Sequence, residues 1–284
     1  MKRINKEKNI SYFGEEKKSE SIRLQGKNNS KATQEIHIFF APINPDNDTL
    51  NKYYDAVNEW NNSHKNMSQM KACHLALVFR DNNGNEVVNR VMQSARYYNC
   101  DDTSEVIEES KKDKKWFEDR GLKVIRQKIE ATAYGIDGVP LTDKEAKELG
   151  KYFECHIKVC RKDKTDTSDI SEIEVNELRK LARDFSCHFG IPIPLSFNHN
   201  KNKFNTDGEG HQRFLNVRFR NMGLDTIKPK LQTIQNSINE KTSFRHIKNI
   251  FEYVWYDTAP EIDQGWIDFT EDELNNITKL FGSI

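Results

Sequence analysis

The 284-residue sequence predicts an α+β fold of two tandem ferredoxin-like βαββαβ units whose antiparallel sheets form a shared cleft. Three observations carry that expectation. The stretch YFECHIKVC, Tyr152 to Cys160, alternates with a period of two: Phe153, Cys155, Ile157 and Val159 share one face, and Glu154, His156 and Lys158 the other. Near the chain start, Glu35-Ile36-His37-Ile38 answers Glu154-Cys155-His156-Ile157, as the first strands of two copies of one unit would. Finally, the order strand, helix, strand, strand, helix, strand runs twice.

Residues 1–34 are rich in Lys, Glu, Ser and Asn without apolar periodicity and read as a flexible basic tail. The first unit spans residues 35–134. It opens on the strand Glu35 to Ile43, and Asp48 or Thr49 then caps a helix with Leu50, Tyr53, Val57 and Trp60 on one side. The strand Ala72 to Arg80 turns at Asn83-Gly84, where positive φ favours a hairpin. A returning strand, a helix stopped by Gly121 and the strand Lys123 to Ala133 complete the unit.

Residues 135–151 form a link with Gly135, Gly138 and Pro140, followed by a short helix opened by the capping box Thr142 to Glu145. The second unit, 152–257, repeats the order. Its strand Ile191 to Phe197 contains Pro192 and Pro194, each of which removes a ladder donor and marks an edge or bulge. Pro229 is expected in the first turn of the following helix. An acidic segment with a terminal helix occupies 258–284.

Lys plus Arg and Asp plus Glu both number 44, so no global field draws the chain toward nucleic acid or an anionic membrane. No apolar run is long enough to span a bilayer, and the N-terminus lacks a secretory core. Five cysteines, an odd number without a C-x-x-C pair, imply reduced thiols and a cytoplasmic setting.

Strand parity defines the candidate site. Arg126, Lys128 and Glu130 share one face of their strand. Asn216, Arg218 and Arg220 share a face with Phe214, and His211 and Arg213 stand at that strand's entrance. Clustered cations repel unless an anion offsets them, and guanidinium forks suit phosphate oxygens. Arg126, Lys128, Lys158, Arg213, Asn216 and Arg218 are therefore the expected phosphate-binding residues. His156 and His211, with Glu154, are the expected acid–base groups, and Glu130 and Glu154 the expected holders of Mg2+ against a phosphate. The competing reading is a wet sheet face with cross-strand ion pairs.

Duplicated units with a histidine on equivalent strands, His37-Ile38-Phe39 and His156-Ile157-Lys158, resemble the two-histidine phosphoesterases, although Phe39 and Lys158 stand where that family has a hydroxyl. The run Glu154-Cys155-His156-Ile157-Lys158 resembles the opening Glu-x-Glu-x-Lys of the triphosphate tunnel enzymes, with His156 in place of the middle acid. The ending Val254-Trp255-Tyr256-Asp257 is similar to uncharacterised bacterial proteins of this layout. Together these imply a phosphoesterase or polyphosphate/nucleotide hydrolase, acting on a nucleotide, cyclic nucleotide or RNA end in the cleft. A non-catalytic nucleotide- or RNA-binding protein, or an interaction scaffold, is the alternative.

Overall fold

The computed structural model describes residues 32–80, 86–100, 103–133, 138–163, 170–198 and 212–260. In chain order the first unit comprises β1 (Ala32–Ala41), α1 (Asn47–Ser63), β2 (Lys71–Arg80), β3 (Glu86–Cys100), α2 (Thr103–Glu118) and β4 (Lys123–Thr132). After the short α3 (Asp143–Leu149), the second comprises β5 (Tyr152–Arg161), α4 (Glu172–Phe189), β6 (Leu195–Asn198), β7 (Gln212–Arg220), α5 (Leu224–Lys241) and β8 (Phe244–Asp257). The fold is α+β and duplicated, as the repeated order requires. Residues 1–31 of the expected tail, the Asn83-Gly84 turn, His211 and the expected terminal helix lie outside the described residues, and residues 32–34 belong to β1.

Each unit has the strand order of a ferredoxin-like sheet, β4-β1-β3-β2 in the first and β8-β5-β7-β6 in the second. The β4–β8 and β2–β6 pairs then join the two sheets edge to edge into a closed barrel with every pair antiparallel. Closure removes the exposed edges and turns the expected hollow between the sheets into a lumen.

Helices cover the outside. Ile36, Ile38 and Phe40 of β1 pack with Tyr53, Val57 and Trp60 of α1 and with Val106 and Phe117 of α2. Phe153, Cys155, Ile157 and Val159 of β5 belong to the same core as Leu178 of α4 and Ile227 and Leu231 of α5. Each large apolar side chain buried this way contributes roughly 1.5–3 kcal/mol. With these residues pointing outward, their neighbours at alternate positions point into the lumen.

Local chemistry sets the element ends. Asp46, two residues earlier than the sequence suggested, caps α1 by accepting from the Thr49 amide at 2.8 Å. Capping boxes open α3 (Thr142 and Glu145) and α4 (Ser171 and Glu174), and Gly190 closes α4 at a φ of 63°. Because α5 begins at Leu224, Pro229 lies inside the helix rather than in its first turn. Both prolines of the 191–197 stretch precede β6, which is reduced to four residues. A bulge between Phe39 and Phe40 moves Ile125 out of the expected core face and against Phe39 and Val91. Among the described residues no helix is long and apolar enough to cross a membrane.

Candidate functional site in the barrel lumen

Pairing register shows that the duplication extends to the polar side chains. On β1, Glu35 stands opposite Glu130 of β4 and Tyr97 of β3; on β5, Glu154 stands opposite Glu252 of β8 and Arg218 of β7. His37 stands opposite Ala95, and His156 opposite Asn216. Glu35, His37 and Glu130 therefore match Glu154, His156 and Glu252 position for position. All the carboxylates of both trios are buried.

In the first copy, His37 Nε2 lies 2.6 Å from Glu130 Oε1, and the Gln93 amide hydrogen-bonds the other ring nitrogen. The second Glu130 oxygen lies 2.8 Å from the Lys128 ammonium, which also meets Glu154 Oε2 at 2.5 Å. Burial pushes the Glu130 carboxyl up, but His37 and Lys128 outweigh it and hold the group well below the usual range. Burial likewise pulls Lys128 down, and Glu130 with Glu154 reverses this to a net rise.

In the second copy, Arg218 Nε donates to Glu154 Oε1 at 2.6 Å. Burial raises the Glu154 carboxyl, yet Arg218 and Lys128 bring it far below the ordinary carboxylate value. Asn216 donates through Nδ2 to Ser196 Oγ at 2.8 Å and to the Pro194 carbonyl at 3.3 Å. Its Oδ1 is thereby aimed at His156 Nδ1, 2.5 Å away. That bond places a proton on Nδ1 and turns Nε2 toward Glu252, 3.9 Å away. The His156 side chain is 28% exposed, so solvent reaches it.

A further ion pair lies beside these trios. Arg126, over the Phe39 ring at 4.9 Å, donates from Nε and Nη2 to both Asp257 oxygens, at 2.8 and 2.6 Å. Tyr152 donates to the same carboxylate at 2.6 Å.

The structure thus brings Arg126, Lys128, Glu130, Glu154, His156, Asn216 and Arg218 to one lumen. It places Arg213 elsewhere: its cross-strand partner is Val159 of the helix-covered core, and it donates to the adjacent Gln212 carbonyl at 3.0 Å. Lys158 stands opposite Lys248 and Phe214, two residues along β5 from His156. The expected phosphate-binding role is corrected by the pairing itself. Arg126 is committed to Asp257, Lys128 to Glu130 and Glu154, and Arg218 to Glu154. Protein carboxylates supply the anions that a phosphate was expected to supply. Recruitment of Mg2+ by Glu130 and Glu154 is corrected on the same ground, since Lys128 lies between the two carboxylates. Sequence reading missed Glu252, Asp257 and Gln93. Aligning Ile129-Glu130-Ala131 with Phe251-Glu252-Tyr253 would have found the first.

No family model and no curated protein matches the chain. Solved structures do match. A dye-decolorizing protein from V. cholerae is 10% identical, with a TM-score of 0.24 over 79% of this chain and 94% of that one. A heme-binding protein from Thermus thermophilus is 9% identical, with a TM-score of 0.25 over 79% and 91%. A mutant chlorite dismutase from Candidatus Nitrospira defluvii is 8% identical, with a TM-score of 0.25 over 89% and 96%. None of these is a two-histidine phosphoesterase or a triphosphate tunnel enzyme, and the phosphoester hydrolysis and nucleotide binding expected from those resemblances are corrected by the carboxylate pairing of Arg126, Lys128 and Arg218. TM-scores this low carry no argument about what the chain binds. Among the described residues, the lumen side chains of Arg126, Lys128, Glu130, Glu154, Arg218 and Asp257 are charged and in mutual contact, which does not fit the apolar slot that a porphyrin needs.

Proposed function

We propose that the barrel lumen is an acid–base site acting on a small polar molecule, with His156 as the group that moves the proton. The observation that carries this reading is the anchoring of Asn216 by Ser196 and the Pro194 carbonyl: its Oδ1 faces His156 Nδ1 and can only accept there, which favours Nδ1–H and leaves Nε2 as a base. Glu252, 3.9 Å from Nε2, stabilises the imidazolium formed when His156 accepts a proton. Arg218 and Glu154 set a fixed polar wall beside it, which needs no reorganisation as charge develops. The energetics point the same way, because apolar packing of similar volume is often neutral or more stable than buried ion pairs.

The test is to incubate wild type and His156→Gln with cell extract and compare small molecules by mass spectrometry, while a library of polar fragments is screened against the His156 ring resonances. Wild type should deplete a compound that His156→Gln leaves intact, and fragments should shift those resonances. Identical extracts together with resonances unmoved by every fragment would refute the reading.

A further inference from the structure

The geometry points to a binding site for one first-row transition-metal dication at Glu35, His37 and Glu130. The three residues are buried, and one ligand atom from each lies within 4.8 Å of the other two. A metal held about 2.0–2.2 Å from each ligand atom keeps those atoms about 3–4 Å apart, so small rotamer adjustments suffice. One imidazole with two carboxylates suits Zn2+, Fe2+ or Mn2+.

Independent features support a cation here. Glu130 is 1% exposed; its Oε1 faces His37 and its Oε2 pairs with the Lys128 ammonium at 2.8 Å, so a cation at Oε1 leaves that ion pair in place. Gln93 grips the far nitrogen of His37, as an orienting partner of a metal-bound imidazole does. With Nε2 on the metal, Nδ1 carries the proton and donates to Gln93 Oε1 after a half-turn of that amide.

Among the described residues the first copy alone qualifies, and the duplication explains why. In the second copy, Arg218 stands opposite Glu154 and neutralises it from the neighbouring strand. The matching position in the first copy is Tyr97, which brings no charge, and the half-exposed Lys71 ammonium lies 3.5 Å from Glu35. A dication takes the place of the proton between His37 and Glu130; in a neutral imidazole that proton moves to Nδ1, and an imidazolium releases one proton to solvent.

This site stands apart from the proton-transfer reading, and metal binding is read without turnover, so either can fail alone. Full-length protein stripped with EDTA is titrated with Co2+, followed by visible d–d absorption, and with Zn2+ by calorimetry. One saturable equivalent is expected. Glu35→Gln should weaken it at least tenfold, and Gln93→Leu by roughly 10–100-fold. Glu252→Gln, the matching change in the second copy, should stay within about twofold of wild type, and circular dichroism confirms that each variant is folded. Absence of saturable binding to folded wild type, wild-type affinity in both Glu35→Gln and Gln93→Leu, or loss of binding in folded Glu252→Gln would overturn the assignment.

Discussion

Lys128 of the first unit and Glu154 of the second meet at 2.5 Å although their strands are not neighbours, since β8 pairs with both β4 and β5. The ion pair spans the lumen across the join between the units. Because Lys128 also reaches Glu130, one ammonium lies between the two matching trios. The two copies are therefore electrostatically one site.

Removing that ammonium should be costly. Lys128→Met leaves Glu130 and Glu154 buried with less compensation, and stripping one partner from a buried pair costs about 3–5 kcal/mol. Urea denaturation should show a loss of this size. Adding Glu154→Gln should restore part of it, because the second change removes a stranded charge. A double variant whose loss equals the sum of the two single losses would contradict the coupling.

Acid should unfold the protein through the same groups. Glu130, Glu154 and Asp257 all sit below their ordinary values when folded. Unfolded, they titrate near about 4, so the unfolded chain binds more protons as pH drops through that region. Stability should fall progressively below about pH 4.5, and His246, lowered by burial, should add a smaller decline as pH drops through about 6.5. Asp113, raised by burial, contributes in the opposite sense. Lys128 is raised, so its contribution should persist to about pH 10 and fade only above that. Midpoints of chemical denaturation from pH 3 to 10 check the acid limb and the persistence of the Lys128 contribution to about pH 10, and an acid limb that stays flat would contradict the account.

The approach of α3 to the start of α5 makes a separate prediction. Gly223 donates its amide to Asp143 at 2.8 Å, and a Cβ added there would lie 2.3 Å from the Leu141 carbonyl oxygen. Since backbone blocks it, Gly223→Ala must push the two elements apart, at a cost of about 1–3 kcal/mol. Thermal unfolding of this variant is compared with Gly150→Ala, whose Cβ meets nothing within 4 Å but which strains a left-handed φ of 62°, so the pair sets a steric clash against backbone strain alone.

Much of this was legible in the sequence because period-two alternation assigns faces without a partner strand. Glu154 and His156, Lys128 and Glu130, and Asn216 and Arg218 were each placed by parity, and the Glu35-x-His37 echo exposed the duplication. Parity cannot say which strands will face each other across a closed barrel. Asp257 and Glu252 therefore stayed invisible as partners, and Arg126, Lys128 and Arg218 read as cations awaiting a ligand. Arg213 failed for a simpler reason: two residues from Leu215, it shares the covered face, and its position at the strand end hid this.

The orientation of the His156 ring offers the sharpest check on the proton-transfer reading. In wild type at neutral pH, nitrogen NMR should show the Nδ1–H form, because Asn216 can only accept at that position while its amide nitrogen is held by Ser196 and the Pro194 carbonyl. Asn216→Leu removes the acceptor, and the ring should relax to a mixture of both neutral tautomers. Loss of one positioned partner of a base should lower any turnover about 10²-fold or more. Substituting Ser196 with Ala should have a smaller effect in the same direction, since the Pro194 carbonyl still holds the amide. An Nε2–H tautomer in wild type would remove the base on which the reading depends.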